Sequence, residues 1–293
     1  MPAVGFIYPN GSTVSFDDVK KGKVDLLEMG MSLPTLIEMS KERDPNRKPS
    51  TTELLNGTCE SYLKRTEDYF VDPQDRAFSL AGTMHHARLE QHEDKRHLLE
   101  HKLEEFNITG IADLYDKETK MLLDYKNTGS YKCAQLLGMT YKLMPDPSGA
   151  KYKSSGKWGR KGSPKMVKKW HRDEGLADFG DWGWQLNWYR YLLENSGYPV
   201  DKTYIQVTLR DGGLAVSRDR GLDKNIYLIE VPKYDNEVLK NKFLKARDEL
   251  TMSLDTGNLP EKCSNEQTWN GRKCQSYCDV RELCPYNNGS VNG

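Results

Sequence analysis

Apolar residues recur along this chain in two rhythms, and the change between them divides it. Val4–Tyr8 reads as a strand, with Asn10-Gly11 as the turn after it. Met31–Ser40 has helical spacing, and the stretch DPNRKPS from Asp44 to Ser50 is loop-like. Ser50 or Thr51 caps a helix running on to Tyr62–Arg65, with Glu53 early in it. Residues 83–105 read as a further helix with a heavily charged outer face. The period then drops to two: Ile108–Tyr115 and Met121–Lys126 are strands separated by the polar turn Asp116–Lys120. Residues 145–182 are poor in aliphatic side chains and rich in Gly, Lys and Trp, which predicts a loop or insertion. A helix over Gln185–Glu194, strands over Thr203–Arg210 and Ile226–Val231, and a long helix from Asp235 to about Leu254 follow. This order predicts an α/β fold, a central mixed sheet flanked by helices. The expected organisation is an N-terminal extension (1–49), a main domain (50–255) and a cysteine-rich tail (256–293).

Composition narrows the class. The chain has 293 residues, 43 basic against 43 acidic, so any pull toward nucleic acid must be local. No apolar run approaches the ~20 residues of a membrane span. The N-terminus lacks a basic segment followed by an apolar one. The expectation is a cytoplasmic protein without a membrane partner. Local charge is present: Lys151 to Arg172 holds nine basic residues and no acidic ones, interleaved with Tyr152, Trp158 and Trp170. Cations neutralise phosphates and aromatic rings stack on unpaired bases, so Lys157, Arg160, Lys161, Lys168 and Lys169 are candidate DNA contacts. A flexible solvated loop is the plain alternative.

Four short patterns occur in one order: Gly82-x-x-x-His86-x-x-x-Glu90, Gly110-x-x-Asp113, Asp124-Tyr125-Lys126 and Gln185-x-x-x-Tyr189. Cleaving a phosphodiester needs charge stabilised on phosphorus and a water made nucleophilic. A hard divalent cation such as Mg²⁺ or Mn²⁺ meets both needs and prefers carboxylate oxygens. Asp113 on one strand and Asp124 on its neighbour suit one ion. Lys126 shares the Asp124 face by the period of two, and its ammonium suits orienting a water or offsetting transition-state charge. Tyr125 points the other way, leaving its backbone carbonyl as a metal ligand. His86 offers a nitrogen, which favours Mn²⁺, with His85 an equal rival. Gln185 and Tyr189 share a helix face. Singly, each pattern is ordinary; their order and spacing carry the reading.

The set GTMHHARLE, ITGIADLYD, LLDYKNT and QLNWYRYLL resembles the RecB-like branch of the PD-(D/E)XK nucleases, within it the CRISPR-associated and phage-encoded exonucleases. The resemblance covers residues 50–130 and 183–284. It implies the restriction-endonuclease-like core, metal roles for His86, Asp113 and Asp124, a catalytic role for Lys126, and positioning roles for Gln185 and Tyr189. It also implies an exonuclease acting on single-stranded DNA or duplex ends in recombination, repair or phage replication, alongside proteins of those processes.

Three of the six cysteines, Cys274, Cys278 and Cys284, lie within eleven residues. In a reducing compartment such clusters read as metal ligands, and a tail this short needs a staple. Thiolates suit zinc or an iron–sulfur cluster. Relatives with such tails carry a [4Fe–4S] cluster whose fourth cysteine stands just before the nuclease core, where Cys59 is. The tail departs from their usual spacing, with three rather than two residues between Cys274 and Cys278. Cys263 offers an alternative fourth ligand and a self-contained Zn²⁺ knuckle. Cys133 reads as a core residue. Two other functions stay open: the same fold with a silent site that grips DNA, and a zinc-stabilised interaction protein.

Overall fold

Helix starts follow from local chemistry. Ser15, Asp25, Ser50 and Asp235 each precede a helix and accept hydrogen bonds from its first free backbone N–H groups. Glu53 returns the bond to the Ser50 backbone, completing a capping box. The structure, a computed structural model, describes residues 3–41, 44–89, 91, 94–157 and 159–287; Glu90 and Trp158 lie outside the described residues. In chain order the elements are β1 (Ala3–Ile7), β2 (Thr13–Ser15), α1 (Phe16–Lys20), α2 (Leu26–Met29), α3 (Leu33–Met39), α4 (Thr51–Leu55), α5 (Thr58–Thr66), β3 (Tyr69–Val71), α6 (Pro73–Leu89), β4 (His97–Glu105), β5 (Ile108–Asp116), β6 (Met121–Thr128), α7 (Ser130–Leu136), β7 (Met139–Pro145), β8 (Met166–Arg172), α8 (Gly180–Asn195), β9 (Lys202–Leu209), α9 (Ala215–Arg218), β10 (Ile226–Val231), α10 (Asn236–Thr256) and α11 (Arg272–Ser276). The architecture is α/β, with a mixed five-stranded central sheet of order β10-β9-β6-β5-β4 flanked by helices. A three-stranded sheet β2-β1-β3 and a two-stranded ribbon β7-β8 are separate sheets.

The chain forms two compact units. The first comprises Met1–Leu122, Trp184–Thr203 and Pro232–Gly293. Within it β1 runs antiparallel to β2 and parallel to β3, so residues 3–39 share a sheet and a core with residues 69–80. Phe6, Phe16, Val19, Leu36 and Val71 fill that core. A second core lies under α8 and α10, where Trp188 stacks on Phe243 with ring centroids 4.5 Å apart and Phe106 stacks on Tyr191. The second unit comprises Leu123–Gly183 and Tyr204–Val231. In β9 the buried Ile205, Val207 and Leu209 alternate with half-buried positions, the pattern of a strand with one covered face. Cys133 is fully buried in α7, and burial pushes its thiol up to about 12.

Three expectations are corrected. The helix begun at Ser50 is two helices, because Gly57 adopts φ +105° and breaks it. Residues 83–105 are not one helix: α6 ends at Leu89 and β4 begins at His97. β4 pairs antiparallel with β5 around Phe106-Asn107, both at positive φ (52° and 61°), the turn whose twist suits a two-residue hairpin. Residues 145–182 are not a plain loop. Residues 145–172 complete the β7–β8 hairpin, with Met139 opposite Arg172 and Pro145 opposite Met166.

Candidate active site

The β4–β5 hairpin builds the first group. Its register sets Leu99 opposite Leu114 and His101 opposite Ala112, and between these pairs Glu100, at φ 44°, comes beside Asp113. His86 on α6 joins them. His86 Nδ1 lies 3.2 Å from Glu100 Oε1 and 3.6 Å from Asp113 Oδ1. One ligand atom from each of the three residues falls within 4.8 Å of the others. Asp113 is 8% exposed. Two carboxylates face to face repel each other, and a cation between them relieves that repulsion. One imidazole nitrogen with two carboxylate oxygens fits a divalent ion such as Mn²⁺ or Mg²⁺. Of the two adjacent histidines it is His86 that belongs to the group. His85 meets it edge-on, and burial lowers its pKa.

Packing ties the other motifs of this unit to the same hairpin. A Cβ at Gly110 would lie 2.5 Å from Tyr189 Cε1, so only glycine lets the Tyr189 ring rest on β5. Tyr189 and Gln185 sit one turn apart on α8, and Gln185 Nε2 donates to the Tyr189 hydroxyl and to Thr52 Oγ1, both at 3.0 Å. Gly110-x-x-Asp113 and Gln185-x-x-x-Tyr189 are thus mechanically one feature.

In the second unit, Asp124 and Lys126 share a face of β6, as the period of two requires. Lys126 Nζ lies 3.0 Å from Asp124 Oδ1 and 2.7 Å from Oδ2. Asp124 is 2% exposed, so the pair is held largely out of water. The ammonium also stands 5.7 Å from the centre of the Trp182 ring. Tyr125 lies between the two in sequence, on the opposite face by the same alternation. Lys157, Arg160 and Lys161 near the hairpin tip and Lys168 and Lys169 in β8 are all exposed.

A second candidate centre is the cysteine group of the first unit. Cys59, at the start of α5, is 1% exposed. Its thiol meets those of Cys263 and Cys284, and this contact together with burial pushes its pKa well above the ordinary thiol value. Cys263 moves the other way, because Cys59 donates to it. Gly57 makes the approach possible: a Cβ there would lie 2.8 Å from Cys263 Sγ. Cys274 is raised by burial and by the nearby Cys263 and Cys284. Cys278 is pushed up to about 12, first by burial and then by Glu60. Both proposed fourth ligands, Cys59 and Cys263, therefore belong to one group. Buried Lys273, paired with Glu60 at 2.6 Å, supplies positive charge beside it. Thiolate side chains are the ligand type that suits zinc or an iron–sulfur cluster, and Cys59, Cys263 and Cys284 are in mutual electrostatic contact here.

Sequence reasoning missed Glu100 and Trp182. The hairpin signal that finds Glu100 is Phe106-Asn107, since a two-residue turn there fixes every facing pair of β4 and β5. Trp182 carries no motif; only its ring's nearness to Lys126 marks it. No family model matches the chain, and no curated protein matches it.

Proposed function

We propose that this protein is a metal-dependent deoxyribonuclease with a PD-(D/E)XK-type core, hydrolysing DNA phosphodiesters as an exonuclease. The observation that carries the reading is the meeting of His86, Glu100 and Asp113, two facing carboxylates and an imidazole. These residues would hold a divalent cation, Mg²⁺ or Mn²⁺. When bound, the ion supplies charge for the phosphorane-like transition state and a water of lowered pKa. Lys126, paired with Asp124, carries the ammonium suited to orienting an attacking water or offsetting developing charge. Gln185 and Tyr189 present donors that position the strand. The cysteine group holds a [4Fe–4S] cluster, with Zn²⁺ as the alternative occupant, and anchors the tail to α5.

The test is degradation of end-labelled linear DNA and of circular DNA with Mg²⁺ and with Mn²⁺. Asp113→Asn, Asp124→Asn and Lys126→Ala should each lower kcat, Lys126→Ala by about 10²–10³-fold, as the loss of one preorganised charge does. Cleavage that persists unchanged in all three defeats this assignment and points to a different site or a contaminant, and absence of cleavage leaves a DNA-binding or zinc-stabilised module.

A further inference from the structure

Residues 139–172 carry ten lysine and arginine side chains and one acidic residue, Asp146, within a chain that is neutral overall. The rest of the chain holds 33 basic and 42 acidic residues, so the hairpin bears a net +9 and the remainder −9. The charge sits on an ordered element. Backbone hydrogen bonds carry the β7–β8 pairing past a turn at Asp146 to Gly149, through Tyr152 and Ser163, to Gly156 and Gly159.

The ribbon has two unlike faces. On one, Tyr141 and Trp170 are opposite each other with ring centroids 5.0 Å apart. Lys168 Nζ stands 4.5 Å and 5.6 Å from the centres of those rings. Trp170 also lies where a Cβ on Gly221 would be, 2.6 Å from its own Cβ. The half-buried Trp170 ring serves the ribbon's own packing, and Tyr141, 43% exposed, is taken up on one side by Trp170 and Lys168, so neither offers the fully open face on which unpaired bases stack. On the other face Lys142 and Lys169 are directly opposite and exposed. Like charges at facing positions destabilise a ribbon, and a polyanion along that face removes the penalty. A two-stranded ribbon is also a shape that the major groove of B-form DNA admits, whereas the deep, narrow groove of an RNA duplex does not.

We propose that the β7–β8 hairpin is a duplex-DNA-binding arm, its Lys142–Lys169 face meeting the phosphates that border a major groove. That the polyanion is DNA rests on the nuclease reading; the preference for a duplex deepens it.

Binding is measured by fluorescence anisotropy on the full chain carrying Asp124→Asn, without added divalent metal, across a range of salt. The probes are a DNA duplex, one of its strands alone, and an RNA duplex of the same sequence. The DNA duplex should bind most tightly. Lys142→Ala with Lys169→Ala should make the slope of log K against log salt shallower by about 1.8, two phosphate contacts at about 0.9 each. Arginine at both positions should restore the slope. Circular dichroism should show the double alanine variant folded, since it loses only a repulsive pair. An unchanged slope, or equal affinity for the single strand or the RNA duplex, overturns the proposal. Because binding is read without cleavage, failure of the nuclease assay and failure of the arm are separate results.

Discussion

Glu100 combines two unfavourable features in one residue. Its φ of 44° lies in the left-handed region that residues other than glycine rarely adopt, and its carboxylate faces Asp113. Strain of this kind, of order 1–3 kcal/mol, persists where the surroundings impose it and clusters at working sites. Glycine removes both features at once. Glu100→Gly should therefore stabilise the fold by about 1 kcal/mol in denaturant unfolding while metal-dependent cleavage is lost. A variant that is less stable and still cleaves would refute the assignment. Glu53 shows the opposite balance. Burial alone would raise its carboxyl, but the Arg65 guanidinium, at 2.7 and 2.9 Å, together with Arg47 holds it below the usual value. The folded pKa lies under the unfolded one, so this stabilisation is complete above about 4.5. It is lost as pH falls through the depressed folded value. Glu53→Gln should flatten the acid limb of a stability-against-pH curve measured by thermal melting. It should also cost about 3–5 kcal/mol at neutral pH, as breaking a buried ion pair does.

At the scale of elements, the contact between Gly110 and Tyr189 makes a sharp prediction. Gly110→Ala drives a methyl into the Tyr189 ring, so it should destabilise by about 1–3 kcal/mol through overpacking. It should also move the Gln185–Tyr189 pair, lowering kcat more than the stability loss alone explains. The same comparison shows what the sequence conveys. β5, β6 and β10 were legible as short apolar runs bounded by polar turns, and β9 because its buried residues alternate against a covered face. α10 was legible because Asp235 and Gly257 mark its ends. β4 was not: Leu98, Leu99 and Leu103 fit a helical stripe, and tertiary pairing overrides that spacing. Missing β4 hid Glu100, while His86, Asp113, Asp124 and Lys126 stood out by motif. The β7–β8 hairpin was illegible because both of its strands are largely exposed, leaving no apolar alternation to read. What surrounds Gly57 was hidden for a different reason. Asn56-Gly57 is itself a turn signal, but the close approach of Cys263 Sγ to Gly57, two hundred residues away in sequence, is carried by no local pattern.

For the whole molecule, the cysteine group closes a very long loop, joining α5 to the tail within the first unit. Loss of what it holds should therefore matter for folding more than for chemistry. Cys59→Ser and Cys284→Ser should lower Tm and the bound iron or zinc found by elemental analysis. Cys133→Ser should leave metal content unchanged, because its thiol is packed in a core apart from the group. The uneven distribution of charge has a consequence for handling. A pI near 7.0 suggests a protein indifferent to ion exchangers at neutral pH. With one hairpin strongly cationic and everything else anionic, it should instead be retained at low ionic strength by both sulfonate and quaternary-ammonium resins. Removing the hairpin's lysines should abolish retention on the first and strengthen it on the second.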